Sequence, residues 1–200
     1  MKTINTSSLF NNLSNSKIGL LGGSFDPAHN GHVYVSNLVL NYLSLDQVWW
    51  LVAPHNPLKN KEQLNTIQKR LLSTHQVNKN HKIKPQALEL KIGTKFTYDT
   101  IKKLQIIMPR VSFFWIMGAD NLYTMDKWYN WKKIFYLCPI IVVNRNGFYN
   151  KALYSKPAQY FWKNKLSLSE LKKSKDLPVW SFLNIRPNPN SSTNLRKNIG

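Results

Sequence analysis

The chain has 200 residues, 42% hydrophobic and 12% aromatic, with 28 Lys and Arg against 9 Asp and Glu, giving a formal net charge of +19. That length suits one α/β domain with a proper core and is short for two. A single cysteine, Cys138, excludes an internal disulfide, and its apolar neighbours predict a buried core thiol. No apolar run approaches the roughly 20 residues needed to span a bilayer, which argues against a membrane partner. The polar first sixteen residues do not read as a secretory signal, so a cytoplasmic protein is expected. The positive charge attracts polyanions. The lysines are spread along the chain, often beside asparagine, and form no arginine-rich stripe, which makes an anionic substrate a better expectation than a nucleic-acid partner. Nothing in the chain specifies an oligomeric state.

In chain order, residues 1–16 read as a loose extension and residues 17–200 as the domain. A strand is expected over 17–23, followed by a helix over 30–43 with Val33, Val35, Leu38, Val39, Tyr42 and Leu43 apolar. Residues 48–53 form a fully buried type of strand ending at Pro54. A helix is expected over 62–77 through Leu64, Ile67, Leu71 and Leu72, then a strand over 83–90. Thr97 reads as the N-cap of a helix that ends before Pro109. A buried strand over 111–117 runs into Gly118-Ala119-Asp120, a helix covers 127–135, and a strand covers 139–143. The basic stretch 151–175 holds one or two short helices, a last strand covers 179–185, and a Pro- and Asn-rich loop leads to Ser191-Ser192-Thr193. Strands alternating with helices predict a single-domain, Rossmann-like, doubly wound parallel sheet. In such sheets ligands sit beyond the carboxyl ends of the strands, near the switch in strand order. Gly22, Pro54, Gly118, Asn144 and Ser191 all follow expected strands, so their loops should converge on one edge.

The most informative stretch is Gly22-Gly23-Ser24-Phe25-Asp26-Pro27-Ala28-His29-Asn30-Gly31-His32, a strand-to-helix turn. Its paired glycines let the backbone turn tightly and come close to a ligand. The helix it opens presents unpaired amides, a ready anion site. His29 and His32, three apart, point the same way on the first turn. The turn thus offers amides and two imidazoles to a polyphosphate. At the other end, Ser192 and Thr193 read as a hydroxyl-rich helix start, and Arg196 one turn later can grip two phosphate oxygens.

The first stretch resembles the Gly-Gly-[Ser/Thr]-Phe-[Asp/Asn]-Pro-x-His-x-Gly-His signature of the nucleotidyltransferase superfamily. Ser191 to Arg196 is similar to that superfamily's Ser-[Ser/Ala]-Thr-x-[Ile/Leu]-Arg stretch, which binds the triphosphate. Phe96-Thr97-Tyr98-Asp99-Thr100, Trp115-Ile116-Met117-Gly118-Ala119-Asp120-Asn121-Leu122 and Trp128 look like the nicotinate-mononucleotide adenylyltransferases within it. The resemblance implies adenylyl transfer from ATP to nicotinate mononucleotide, giving nicotinate adenine dinucleotide and pyrophosphate, a step of NAD biosynthesis.

By the same resemblance, His29, His32 and Arg196 are catalytic. Gly22, Gly23, Ser24, Phe25, Gly118, Asp120, Ser191, Ser192 and Thr193 hold the nucleotide, with Lys59 a candidate phosphate ligand. Thr97 and Trp128 frame the pyridine ring, and Arg145 also belongs to the acceptor site. An electron-poor ring stacks well on an indole, although Trp128 can equally be a core aromatic and Asp120 a helix cap. In two places the chain departs from its relatives: Leu58 stands where many have histidine before Lys59, and Asn146 where many have proline after Arg145. The acceptor phosphate is already an anionic nucleophile, so no general base is required, and no cluster of carboxylates suggests a protein-held metal. Mg²⁺ is expected to arrive with ATP. The alternatives are another adenylyltransferase of the superfamily, such as the pantetheine-phosphate type, or a basic nucleic-acid-binding protein on the same fold. His55, His75 and His81 are expected at surface or loop positions.

Overall fold

The computed structural model describes residues 13–54, 65–144 and 147–185. Strands β1 (Lys17–Gly23), β2 (Gln47–Val52), β3 (Ile83–Gln86), β4 (Ser112–Gly118), β5 (Ile140–Val143) and β6 (Trp180–Leu183) pair in the order β3-β2-β1-β4-β5-β6. Every pairing is parallel. The order reverses between β1 and β4, the switch point expected of a doubly wound sheet.

Successive strand residues feed opposite faces. Leu20, Trp49, Leu51, Trp115, Met117 and Ile140 point into one apolar cluster. Leu21, Val48, Trp50, Val52, Ile116 and Ile141 point into the other. Helices α1 (Asn30–Leu43), α2 (Ile67–Val77) and α9 (Leu168–Lys173) cover the second face through Val35, Val39, Leu71 and Leu171. The first face is covered by α3 (Leu88–Ile92), α4 (Thr97–Ile107), α5 (Ala119–Thr124), α6 (Trp131–Ile134), α7 (Tyr149–Leu153) and α8 (Lys156–Tyr160). Cys138 is buried there, and burial pushes its thiol up to about 12. Among the described residues no helix is long and apolar enough to cross a membrane.

β1 and α1 run over the expected residues, and β2, β4, β5 and β6 differ from expectation by one or two residues at their ends. Several readings need correction. The basic stretch expected to hold one or two short helices carries α8, α9 and the end of α7, with a 3₁₀ turn at Trp162–Asn164. The strand expected over 83–90 stops at Gln86, because Leu88 and Ile92 recur at helical spacing and Gly93 closes α3 in the left-handed conformation at φ 66°. The helix expected over 127–135 is a 3₁₀ turn at Met125–Lys127 and the separate α6, parted by Asn130 at φ 51°. The described part of the helix expected over 62–77 begins at Ile67, where the Thr66 hydroxyl caps it, and Leu72 is 60% exposed and not on the apolar face. At the amino end, Leu13 packs on the core and the Asn15 N–H donates to the Arg110 carbonyl.

Candidate active site

The loop after β1 and the first turn of α1 form one hydrogen-bonded unit. His29 is the N-cap of α1, and its Nδ1 accepts from the Gly31 N–H at 3.1 Å. In return, His32 Nδ1 accepts from the His29 N–H at 3.2 Å. This is a capping box built from two imidazoles instead of a hydroxyl and a carboxylate. An Nδ1 that accepts leaves the neutral ring's proton on Nε2, so both rings are fixed in one tautomer. The ring centroids are 3.9 Å apart, and both residues are largely buried, at 6% and 8% exposed.

The floor beneath them is aromatic. Phe25 stacks on Trp50 at 5.1 Å and meets His32 at 4.7 Å. The Trp50 indole N–H donates to Ser36 Oγ, and that hydroxyl donates to the His32 carbonyl. Phe25, expected among the nucleotide-binding residues, therefore buries its side chain as support and has only its main chain to offer a ligand.

The turn is also braced from α2 and from Asn65 just before it. Asp26 accepts from the Asn65 side-chain and main-chain N–H groups, and the Ala28 N–H donates to Ser73 Oγ. Arg70, 2% exposed, donates to the carbonyls of Ser24, Ala53, Pro54 and Asn65. Burial lowers the Arg70 pKa from its ordinary value, and the negative charge of Asp26 opposes that shift.

Across the switch point, Gly22 leaves room for Trp115: a Cβ at Gly22 would lie 2.7 Å from that indole. Trp115 makes an edge contact with Trp128, centroids 6.5 Å apart. Gly118 ends β4 and caps α5, with Asp120 in the first turn of that helix. Thr97 is the first residue of α4, and Phe96, not Thr97, is its N-cap; no side chain caps this helix, so its first amides are left to other partners. Phe96 packs against Tyr129 at 4.9 Å, joining the start of α4 to the Trp128 loop. The two tryptophans on either side of Asn130 have different ring partners: Trp131 packs against Tyr160 and Phe161, Trp128 against Trp115. Beneath α4, buried Glu89 accepts from the Thr100 hydroxyl, and burial pushes its carboxyl up to about 7.

The structure thus brings Gly22, Gly23, Ser24, His29, His32, Gly118 and Asp120 to the carboxyl edge of adjacent strands β1 and β4, with Thr97 and Trp128 on the helix-covered face that Trp115 enters. Lys59, Arg145, Ser191, Ser192, Thr193 and Arg196 lie outside the described residues, as does His55. His75 and His81 are exposed, as expected. Among the described residues no three of His, Cys, Asp and Glu gather in a group that could hold a metal ion. Arg70, Asn65, Ser73 and Tyr129 were not legible as site residues. Their only signal is proximity in the fold, since each lies far in sequence from the group it serves.

A family model described as cytidylyltransferase-like matches residues 20–198. Over 181 residues the chain is 38% identical to a probable nicotinate-nucleotide adenylyltransferase of Rhizobium johnstonii, an alignment covering 90% of this chain and 91% of that one. The chain belongs to the nicotinate-nucleotide adenylyltransferase family. A second member, the probable nicotinate-nucleotide adenylyltransferase of Agrobacterium fabrum, is 37% identical over 183 residues, covering 90% of this chain and 98% of that one. Membership places the chain among the nucleotidyltransferases, as the signature at 22–32 implies. Among solved structures, the nicotinic acid mononucleotide adenylyltransferase of Plasmodium falciparum complexed with NaAD matches with a TM-score of 0.63 at 23% identity, over 89% of this chain and 78% of that one. The same enzyme complexed with APC gives a TM-score of 0.61 at 22% identity, over 89% and 77%. At such identities the likeness shows the fold, a Rossmann-like parallel sheet wound on both faces.

Proposed function

We infer that this chain transfers the adenylyl group of ATP to nicotinate mononucleotide, forming nicotinate adenine dinucleotide and pyrophosphate in NAD biosynthesis. The observation that carries the reading is the pair of mutually capped imidazoles opening α1, beside the switch in strand order, in a chain of this family. The acceptor phosphate is itself the nucleophile, so the protein's task is in-line positioning at the α-phosphorus and stabilisation of charge on the departing pyrophosphate. With their protons on Nε2, His29 and His32 are suited to donate to phosphate oxygens. The amides of Gly22 to Phe25 line the approach, and Gly118 and Asp120 hold the nucleoside side.

The residues beyond the described segments complete the reading through the family resemblance alone. Arg196 neutralises the triphosphate with Ser191, Ser192 and Thr193, Lys59 binds phosphate, and Arg145 belongs to the acceptor. On the other face the uncapped start of α4 at Thr97 suits the nicotinate carboxylate, and the Trp128 indole suits its ring. Mg²⁺ enters as part of the substrate, bound to the triphosphate. Residues 17–200 form the transferase domain, residues 1–16 are an extension to it, and the protein works in the cytoplasm.

The test is pyrophosphate release from Mg–ATP with nicotinate mononucleotide, nicotinamide mononucleotide or phosphopantetheine as acceptor. Nicotinate mononucleotide should give turnover with stoichiometric dinucleotide. Turnover only with phosphopantetheine, or salt-sensitive retention on DNA with no pyrophosphate from any acceptor, would replace this reading.

A further inference from the structure

Arg70 is a buried residue whose guanidinium, among the described residues, donates to main-chain carbonyls: Ser24 at 2.8 Å, Ala53 at 2.8 Å, Asn65 at 2.9 Å and Pro54 at 3.3 Å. Burying a charge is costly, and an apolar side chain would fill the same space more cheaply. What the guanidinium supplies instead is a rigid fork that reaches several acceptors at once. Those acceptors come from the β1–α1 turn, the exit of β2 and the approach to α2, three segments that meet at the carboxyl edge of the sheet.

The next residue shows why such a fork is needed. Phe25 sits at φ 49°, the left-handed region, where a side chain with a Cβ is strained by about 1–2 kcal/mol. Strain of that kind persists only where the surroundings over-determine it. Among the restraints on it are burial of the Phe25 ring against Trp50 and His32, the Arg70 bond to the carbonyl just before it, and a longer bond of 3.5 Å from the Ser73 hydroxyl to the Phe25 carbonyl. The Ser24–Phe25 peptide is trans, so its C=O and N–H point in opposite directions. Holding the Ser24 carbonyl on Arg70 therefore turns the Phe25 N–H to the far side of the turn.

We propose that Arg70 is a positioning residue for nucleotide binding: by fixing the Ser24 carbonyl against the exit of β2, it aims the Phe25 amide at a phosphate oxygen of ATP. The proposal rests on the functional reading above. It assigns no chemistry to Arg70, which acts through the main chain.

The test is binding of a non-hydrolysable ATP analogue by calorimetry, with no acceptor present. Arg70→Lys keeps the charge and loses the fork. It should weaken analogue binding at least tenfold, while the KM for nicotinate mononucleotide stays within about twofold. Thr74→Val, one turn further along α2 and also buried, is the control for general destabilisation: it should lower Tm and leave analogue binding intact. In Arg70→Ala, added methylguanidinium should restore affinity in proportion to its concentration. Wild-type affinity in Arg70→Lys, a loss that tracks Tm equally in Thr74→Val, or folded Arg70→Ala that the guanidinium does not rescue would each overturn the proposal. Because binding is read without acceptor, a wild-type protein that binds the analogue but makes no dinucleotide would refute the activity and not the role of Arg70.

Discussion

Trp115 lies across Gly22 so closely that a Cβ there would come within 2.7 Å of Cη2 and 2.9 Å of Cζ2. The indole is 3% exposed and braced by Trp128, so it has little room to retreat. Gly22→Ala should therefore cost roughly 1–3 kcal/mol through overpacking, and it should raise the KM for the acceptor by displacing Trp128. Urea denaturation reads the first effect and steady-state kinetics the second. Trp115→Phe removes the offending ring edge, so the two substitutions should couple favourably in a double-mutant cycle. Simple additivity would show that the contact is not the cause.

His32→Ala removes one imidazole of the reciprocal cap and one proposed donor to the triphosphate. The expected result is a fall in kcat of roughly 10²–10³-fold, the scale for losing one preorganised donor, with a stability loss of only about 1 kcal/mol from the cap. Near-normal turnover in a folded variant would take His32 out of the mechanism.

Trp128→Ala should raise the KM for nicotinate mononucleotide and leave that for ATP within about twofold. Trp128 packs partly on the core, and its ring meets Trp115 edge-on, an arrangement suited to leaving a face for a ligand. If the KM for ATP rose instead, ring stacking at this position would be wrong.

Glu89 gives the protein a pH-dependent stability. Its folded pKa, near 7, lies above the usual 4.5, so the native state holds this proton more tightly than the unfolded chain does. The stabilisation is complete below about 4.5 and is lost as pH rises through about 7. A difference of that size is worth up to roughly 3 kcal/mol. Glu89→Gln cannot ionise, so it should match the wild type near pH 4.5 and exceed it in urea midpoint at pH 8. An identical wild-type-to-variant difference at both pH values would show that Glu89 does not titrate there.

Much of this was legible because the patterns were local. β1 and α1 were read to the residue because an apolar run meets a glycine turn and then helical spacing. The strand-to-helix change at Ala87 was hidden, since Ile83 to Leu90 is a short mixed run that suits either structure. Ala119–Thr124 escaped notice because six residues carry little periodicity. The break at Asn130 depends on one left-handed residue that many sequences would tolerate inside a helix. The basic stretch 151–175 became readable only through Ala152, Ala158, Phe161 and Leu171, which pack on the two faces of the sheet. In the site itself, the histidines and glycines announced themselves by spacing. Arg70 did not, being one of 28 basic residues and marked out by burial alone.

The bracing of the 22–32 turn by α2 has a consequence for how that turn comes into being. Its supports lie 39 positions downstream at Asn65, 45 at Ser73 and 46 at Arg70. A fragment ending at Val52 would carry the complete motif and two of its strands, yet none of those anchors. Transplanting the eleven residues from Gly22 to His32 onto another parallel sheet should likewise transfer the letters without the shape. A turn anchored in this way is expected to take its shape only after long-range closure, once α2 has docked against it.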